Sequence, residues 1–217
     1  MTKSGTWTVR SNQGEFQSKQ LVNCMPIHSL FQYLSPPKEI AQTLAALKYN
    51  SIHIVMVQAK KDKIGNHFAL YFPDKSIIFH RLSKLGFLGP AYDLGNGATT
   101  LMAEITFRPG SYLSTLSVEE IRTRAIVRKS WRRLDAADVF EVEIKTFPFA
   151  YVIYDLDHRK NVDTLLGYLR SIGIESAGRF AEFEYLNSDQ VVERTLKLAR
   201  RLNARPKTSE MTQAPAL

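Results

Sequence analysis

Apolar residues recur with two different periods along this chain, and the switches between them mark its elements. Thr6-Trp7-Thr8-Val9-Arg10 alternates as a strand does, and Ser11-Asn12-Gln13-Gly14 supplies turn chemistry for a hairpin. Glu15 to Cys24 returns as a second strand, interrupted by polar residues and ended by Met25-Pro26. Pro36-Pro37 opens a helix to about Lys48, with Ile40, Leu44 and Leu47 on one face. Ser51 to Ala59 is a strongly apolar strand, and His67–Phe72 with Ser76–Leu82 reads as a strand pair around Pro73-Asp74-Lys75. Phe87 to Gly97 is a Gly- and Pro-rich loop, and Thr100 to Arg108 is a strand.

Ser117-Val118-Glu119-Glu120 forms a capping box before a helix with Val118, Ile121, Ala125 and Trp131 inward. Val139 to Phe147 alternates as a strand, and Tyr151 to Tyr154 is a second, short one. Asn161 caps a helix carrying Val162, Leu165, Leu166, Leu169 and Ile172, with Gly173 in the place of a helix C-terminal glycine. A short apolar run from Ile174 ends at Gly178-Arg179. A polar turn follows, and then Val191, Val192, Leu196, Leu198, Ala199 and Leu202 recur at helical spacing. Strands often follow one another without an intervening helix, which predicts an α+β fold with a mixed, largely antiparallel sheet and flanking helices. There is no G-x-G-x-x-G near the N-terminus.

Composition narrows the classes. The 217 residues are 44% hydrophobic, and no apolar run approaches the roughly 20 residues that span a bilayer. The first residues lack a signal-peptide core, so a cytoplasmic protein is expected. The single cysteine, Cys24, excludes an internal disulfide and a Cys-rich zinc site, and reads as a small buried residue. His28, His53, His67 and His158 show no metal-ligand spacing, so no metal is expected, and His80 reads as structural and not catalytic.

The net charge of +8 raises the question of an anionic partner. Val118–Arg133 and Glu193–Lys207 carry +4 and +5, and both read as amphipathic helices with a solvated basic face. Aromatic residues do not interleave with the second cluster, so nucleic acid is not the expected partner. No nucleophile elbow, P-loop or paired-carboxylate site stands out.

One unit carries chemistry: strand, glycine, arginine, polar turn, helix N-terminus, over Ile174 to Val192. Backbone N–H groups and the positive end of a helix dipole converge there, which suits an anionic oxygen or a polarised carbonyl. The residues Gly178, Arg179, Phe180, Phe183, Tyr185, Asn187 and Asp189 resemble the C-terminal signature of a flavoprotein superfamily. Its members are the FAD-dependent amine oxidases, the protoporphyrinogen oxidase-like enzymes and the UDP-galactopyranose mutases. The mutase form is Gly-Arg-(Leu/Phe)-x-x-(Tyr/Trp)-x-Tyr-x-(Asp/Asn)-x-Asp. Thr6 to Pro26, Leu70–Asp74 with Phe79-His80-Arg81, and Ala150–Asp155 resemble upstream segments of the same superfamily.

The resemblance implies the C-terminal half of such an enzyme, its N-terminal βαβ unit absent. Residues 1–26 and 174–203 would be the closing elements of an FAD-binding domain, 27–173 a substrate-binding domain, and 204–217 a disordered tail. It implies FAD contacts from Gly178, Arg179, Asn187, Ser188, Asp189 and Gln190, and contacts to an anionic small-molecule substrate from Arg81, Tyr151 and Tyr185. The competing readings of single residues are plain. Arg179 could be a surface arginine paired with Glu182 or Glu184, Arg81 an edge-strand charge, and Asn187–Gln190 ordinary helix-cap residues. Asn187 stands where bacterial mutases have aspartate, and Val152 where proline is usual. No catalytic residue is assigned.

The function implied is a portion of an FAD-dependent oxidoreductase, inactive without an N-terminal flavoprotein half. The alternatives are a mutase-like redox-neutral isomerase and a binding subunit or remnant lacking FAD.

Overall fold

The computed structural model describes residues 6–92, 94–126 and 136–204. In chain order the strands and helices are β1 (Trp7–Ser11), β2 (Gly14–Ser18), β3 (Leu21–Asn23), α1 (Ile27–Phe31), α2 (Lys38–Ala46), β4 (Tyr49–Ala59), β5 (Ala69–Tyr71), β6 (Arg81–Lys84), β7 (Thr99–Phe107), α3 (Val118–Ile126), β8 (Val139–Val152), α4 (His158–Ser171), β9 (Ile174–Ser176) and α5 (Ser188–Asn203). They group into two compact units. One comprises residues up to Leu47 and from Tyr154 onward, the other Lys48–Ile153. Residues 27–47 and 154–173, expected beside the central segment, therefore cluster with the terminal segments: α2 packs on α4, and α4 on β9.

In the first unit, β1 and β2 form an antiparallel hairpin with Ser11 opposite Gly14. The Trp7 indole N–H donates to the Ile172 carbonyl at 2.7 Å, which ties the hairpin to the end of α4. The segment read as one interrupted strand splits, because β3 leaves the hairpin to pair in parallel with β9. The core gathers Ile27 and Phe31 of α1, Val162, Leu165 and Leu169 of α4, Ile174, Ala181 and Phe183. Helix α1 was not expected from the sequence; a five-residue helix is too short for a periodic signal. Helix α4 starts one turn earlier than expected, with Asp157 at its N-cap position making no side-chain capping bond, and Asn161 inside the helix. Gly173, at φ +84°, ends the segment as expected. Cys24 is exposed, not buried.

In the second unit, five strands order as β5-β6-β7-β4-β8, every neighbouring pair antiparallel. Alternation sends Val55, Val57, Leu101, Ala103 and Ile105 to one face, where Phe79 and Ile121 and Ala125 of α3 complete the core. The capping box forms: Glu120 N–H donates to Ser117 Oγ and Ser117 N–H to Glu120 Oε2. Val118 is 58% exposed, so it does not share the inward face of Ile121. Trp131 lies outside the described residues, as does the tail beyond Ala204.

The two strands expected at Val139–Phe147 and Tyr151–Tyr154 are one 14-residue strand, β8. Pro148 does not break it, because β8 is an edge strand, where a missing N–H costs no ladder bond. A register shift between Asn50 and Ile52 absorbs the irregularity, and Ser51 Oγ donates to the Pro148 carbonyl at 2.7 Å. The ladder of β6 begins at Arg81 and not at Ser76.

Candidate functional site

The residues singled out from the sequence assemble into two clusters, one in each unit. In the first unit, β9 leads to Gly178, whose φ of +110° is a conformation that side chains rarely adopt. Gly178 N–H donates to Glu182 Oε1, and Glu182 N–H returns to the Gly178 carbonyl, so the turn closes on itself. Phe183 is fully buried with φ +53°, a strained setting for a bulky residue. His158 Nε2 lies 3.0 Å from the Phe183 carbonyl; a carbonyl only accepts, so Nε2 carries the proton. Tyr154 Oη donates to Glu184 Oε2 and accepts from the Tyr185 N–H at 2.6 Å.

Arg179 sits in this frame, half-buried, with its guanidinium 4.1 Å from the Tyr185 ring centre and 5.4 Å from that of Phe180. One of its N–H groups reaches the Leu186 carbonyl at 3.4 Å. Of the carboxylates near it in sequence, Glu182 pairs with Arg194 and Glu184 with Arg159. The helix that follows has a complete capping box between Asn187 and Gln190. Those two side chains are thereby spent on the helix itself. The groups at its start that remain for a ligand are the N–H groups of Ser188 and Asp189, which helix geometry directs outward along the axis. Asn187, Ser188, Asp189 and Gln190 are all exposed. A half-buried guanidinium, an amphipathic tyrosine and a helix start on one loop fit an anionic or carbonyl-bearing ligand. The Asp189 carboxylate, in the first turn, stabilises the helix and opposes an anion there.

In the second unit, Arg81 on β6 and Glu104 on β7 stand directly opposite each other in the ladder. Arg81 Nε donates to Glu104 Oε1 at 2.8 Å and Nη2 donates to the same oxygen. Tyr151 Oη donates to Glu104 Oε2 at 3.3 Å, and His80 Nε2 lies 3.8 Å from that oxygen. Glu104 is 2% exposed. Burial works against the Arg81 charge, but the hydrogen bonds it donates to Tyr71 and Glu104 raise its pKa overall. His80 is pushed down, mainly by burial, with Arg81 adding to the effect and Glu104 opposing it. Arg81 and Tyr151 therefore meet on a carboxylate that sequence reading missed. Its signal was a lone Glu in an apolar strand, but the partner lies 23 residues away and depends on the strand register.

Tyr185 belongs to the first unit and Arg81 and Tyr151 to the second. A cleft of about 480 Å³ in the second unit is lined by Asp62, Lys84, Phe87, Tyr92, Asn96 and Thr99, none of them singled out from the sequence. Among the described residues no group of His, Cys, Asp and Glu could hold a metal ion, and no helix is long and apolar enough to cross a membrane.

No protein-family model and no curated protein matches the chain. Solved structures do. A reduced UDP-galactopyranose mutase superposes with a TM-score of 0.76 at 17% identity, over 92% of this chain and 45% of that one. A protein described as a protoporphyrinogen oxidase from Exiguobacterium gives 0.65 at 15% identity, again over 92% and 45%. Cyclohexylamine oxidase from Brevibacterium oxydans gives 0.62 at 16%, over 92% and 46%. This chain spans less than half the length of each, and the likeness is one of fold. Over nearly all its length the polypeptide shares its fold with a part, under half, of a UDP-galactopyranose mutase, a protoporphyrinogen oxidase and an amine oxidase.

Proposed function

We propose that this chain supplies the substrate wall and part of the flavin site of an FAD-dependent oxidoreductase, and that it turns over only with an N-terminal FAD-binding half. The observation that supports this most is the turn at Arg179. Its guanidinium lies against the Tyr185 ring, and α5 starts nine residues further along the same stretch of chain. In this reading residues 1–26 and 174–203 are closing elements of the FAD domain, 27–47 and 154–173 pack with them, and 48–153 forms the substrate-side wall.

Gly178 and Arg179, with the backbone of Ser188 and Asp189, hold the cofactor's anionic and carbonyl oxygens. Asn187 and Gln190 fix the helix start that presents those N–H groups. Bound FAD supplies hydride acceptance from a carbon next to nitrogen or oxygen. In the second unit Tyr151 and Arg81 contact an anionic small substrate, as donors already oriented by Glu104, and in the first Tyr185 lies against Arg179.

The test is colour and affinity. The purified chain is expected to be colourless, and co-purification with its N-terminal half to give a yellow complex. Arg179→Ala is expected to weaken FAD binding by about 10- to 100-fold, the loss of a charge-assisted hydrogen bond. Arg200→Ala is the suitable control, because Arg200 is exposed, whereas Arg201 pairs with the buried Glu175. Equal losses in the two variants remove the role given to Arg179.

A second reading is a redox-neutral, mutase-like isomerisation, favoured by the higher TM-score of the mutase, 0.76 against 0.65 and 0.62. Turnover of UDP-galactopyranose by the reduced complex separates it from oxidation. A complex that binds substrate but stays colourless points instead to a binding subunit without FAD.

A further inference from the structure

Three of the four basic residues of α5 line one groove. Arg194, Lys197 and Arg201 stand at i, i+3 and i+7, with Leu198 at i+4, so one face of the helix carries them all. That face lines a groove of about 400 Å³. Leu166 and Arg170, one turn apart on α4, line the other side, and the end of β9 and Glu182 complete it. The whole groove lies within the first unit.

Two sunken carboxylates hold the arginines in place. The Glu175 side chain, 7% exposed, accepts from Arg201 at 2.8 Å, and that of Glu182, 16% exposed, accepts from Arg194 at 2.9 Å. The two arginine side chains remain 55% and 45% exposed. A guanidinium has five N–H donors, so each fork keeps donors for a further acceptor. A fork already fixed loses less freedom when a ligand binds.

Balancing two carboxylates takes two cations, and the groove has four. Arg170 forms no ion pair among the described residues. Lys197 pairs with the exposed Glu193, one turn back on its own helix, a contact worth little in water. The lining therefore carries an excess of two positive charges, which a phosphate monoester, with about two negative charges at neutral pH, matches. Leu166, Ala177 and Leu198 offer apolar surface to a carbon skeleton. Among the described residues that line the groove none is aromatic, so nucleic-acid bases have no stacking platform there.

We infer that the groove between α4 and α5 binds the phosphate end of a small molecule, Arg170 and Lys197 supplying the excess charge and Arg194 or Arg201 a fixed fork. The site is separate from the flavin contacts proposed above and does not depend on them. Its α5 residues lie six to thirteen positions beyond Ser188, where the helix starts.

Pyrophosphate is the probe, titrated calorimetrically into the purified chain, with chloride holding the ionic strength constant. Saturable binding at one site is expected. Arg170→Gln and Lys197→Gln should each weaken it by about 10-fold, the loss of a charge-assisted hydrogen bond, with Tm unchanged. Arg170→Lys should restore part of the loss. Arg200→Gln removes the same charge from the same helix outside the groove and should leave the affinity as it was. Arg194→Gln and Arg201→Gln strand buried carboxylates and lower Tm as well, so Arg170 and Lys197 decide.

Vesicles of phosphatidylcholine with and without phosphatidylglycerol separate the two sources of phosphate. Co-sedimentation that needs the anionic lipid and is lost in Arg170→Gln assigns the site to a lipid headgroup, and pyrophosphate binding without it assigns a soluble ligand. Heat that never saturates, or equal losses in Arg170→Gln and Arg200→Gln, overturns the site and returns these residues to a solvated basic face.

Discussion

Two arginines of this chain sit in opposite electrostatic circumstances. Arg81 is locked to a carboxylate 2% exposed and shares it with Tyr151 and His80. Arg179 lies on an aromatic ring and near a carbonyl, both neutral, while the acids beside it in sequence serve Arg194 and Arg159. The first arrangement is an ion pair on a buried carboxylate that also orients hydroxyl and imidazole groups. The second stacks a guanidinium on a ring, on the stretch of chain that leads into α5. The difference teaches that an arginine's role follows from what the surrounding acids are already doing, not from how many acids are near it.

Substitutions sharpen the contrast, starting with the largest effect. Phe183→Ala empties a fully buried, strained position behind the Arg179 turn and is expected to cost about 4 kcal/mol in urea unfolding. A loss below about 1 kcal/mol would show that this turn is not anchored by its core. Glu104→Ala strands Arg81, and because Arg81 is partly exposed the cost should fall at the low end for a broken buried pair, on the order of 3 kcal/mol. Glu104→Gln should cost less; equal losses would mean that packing, not charge, matters there.

Acid distinguishes the units by their histidines. His28, whose ring centre is 5.3 Å from that of Phe183, has its pKa driven down to about 4 by burial, against a smaller opposing bond to the Leu44 backbone. The folded state therefore excludes a proton that the unfolded chain takes up near its ordinary value of 6.5. The stabilisation is complete above about pH 6.5 and is lost as pH falls through 4, amounting to about 3 kcal/mol. His28→Phe should flatten Tm across that window, and an unchanged slope would place the sensitivity at His53 or His80, which burial also lowers. Asn187→Ala removes the helix cap and should cost about 1 kcal/mol, read as faster amide exchange in the first turn of α5. Smallest of all, Arg179→Ala should change the stability of the chain alone by less than about 1 kcal/mol. A larger loss would make the arginine structural, like Arg81.

The sequence was most legible where one periodicity governs a whole element. β4 and β7 are apolar strands, and α5 follows from its stripe and cap residues. It was least legible where tertiary context decides. Pro148 reads as a breaker, but an edge position tolerates it inside β8. Asp157 rather than Asn161 begins α4, because both are good caps and only packing chooses between them. The turn at Arg179 could be named from its motif, whereas the Glu104 cluster could not, since it exists only once β6, β7 and β8 are in register. The positive φ of Phe183 had no trace in the sequence at all.

Pro148 has a further effect. The sheet of the second unit ends on β8, a long strand with Phe140 and Phe147 exposed, a shape that invites neighbouring molecules to zip onto it. An imino ring that offers no donor, together with Glu141, Glu143 and Lys145 along the same strand, interrupts that template. Replacing Pro148 with valine would complete the template and trade solubility for fibril-like self-association.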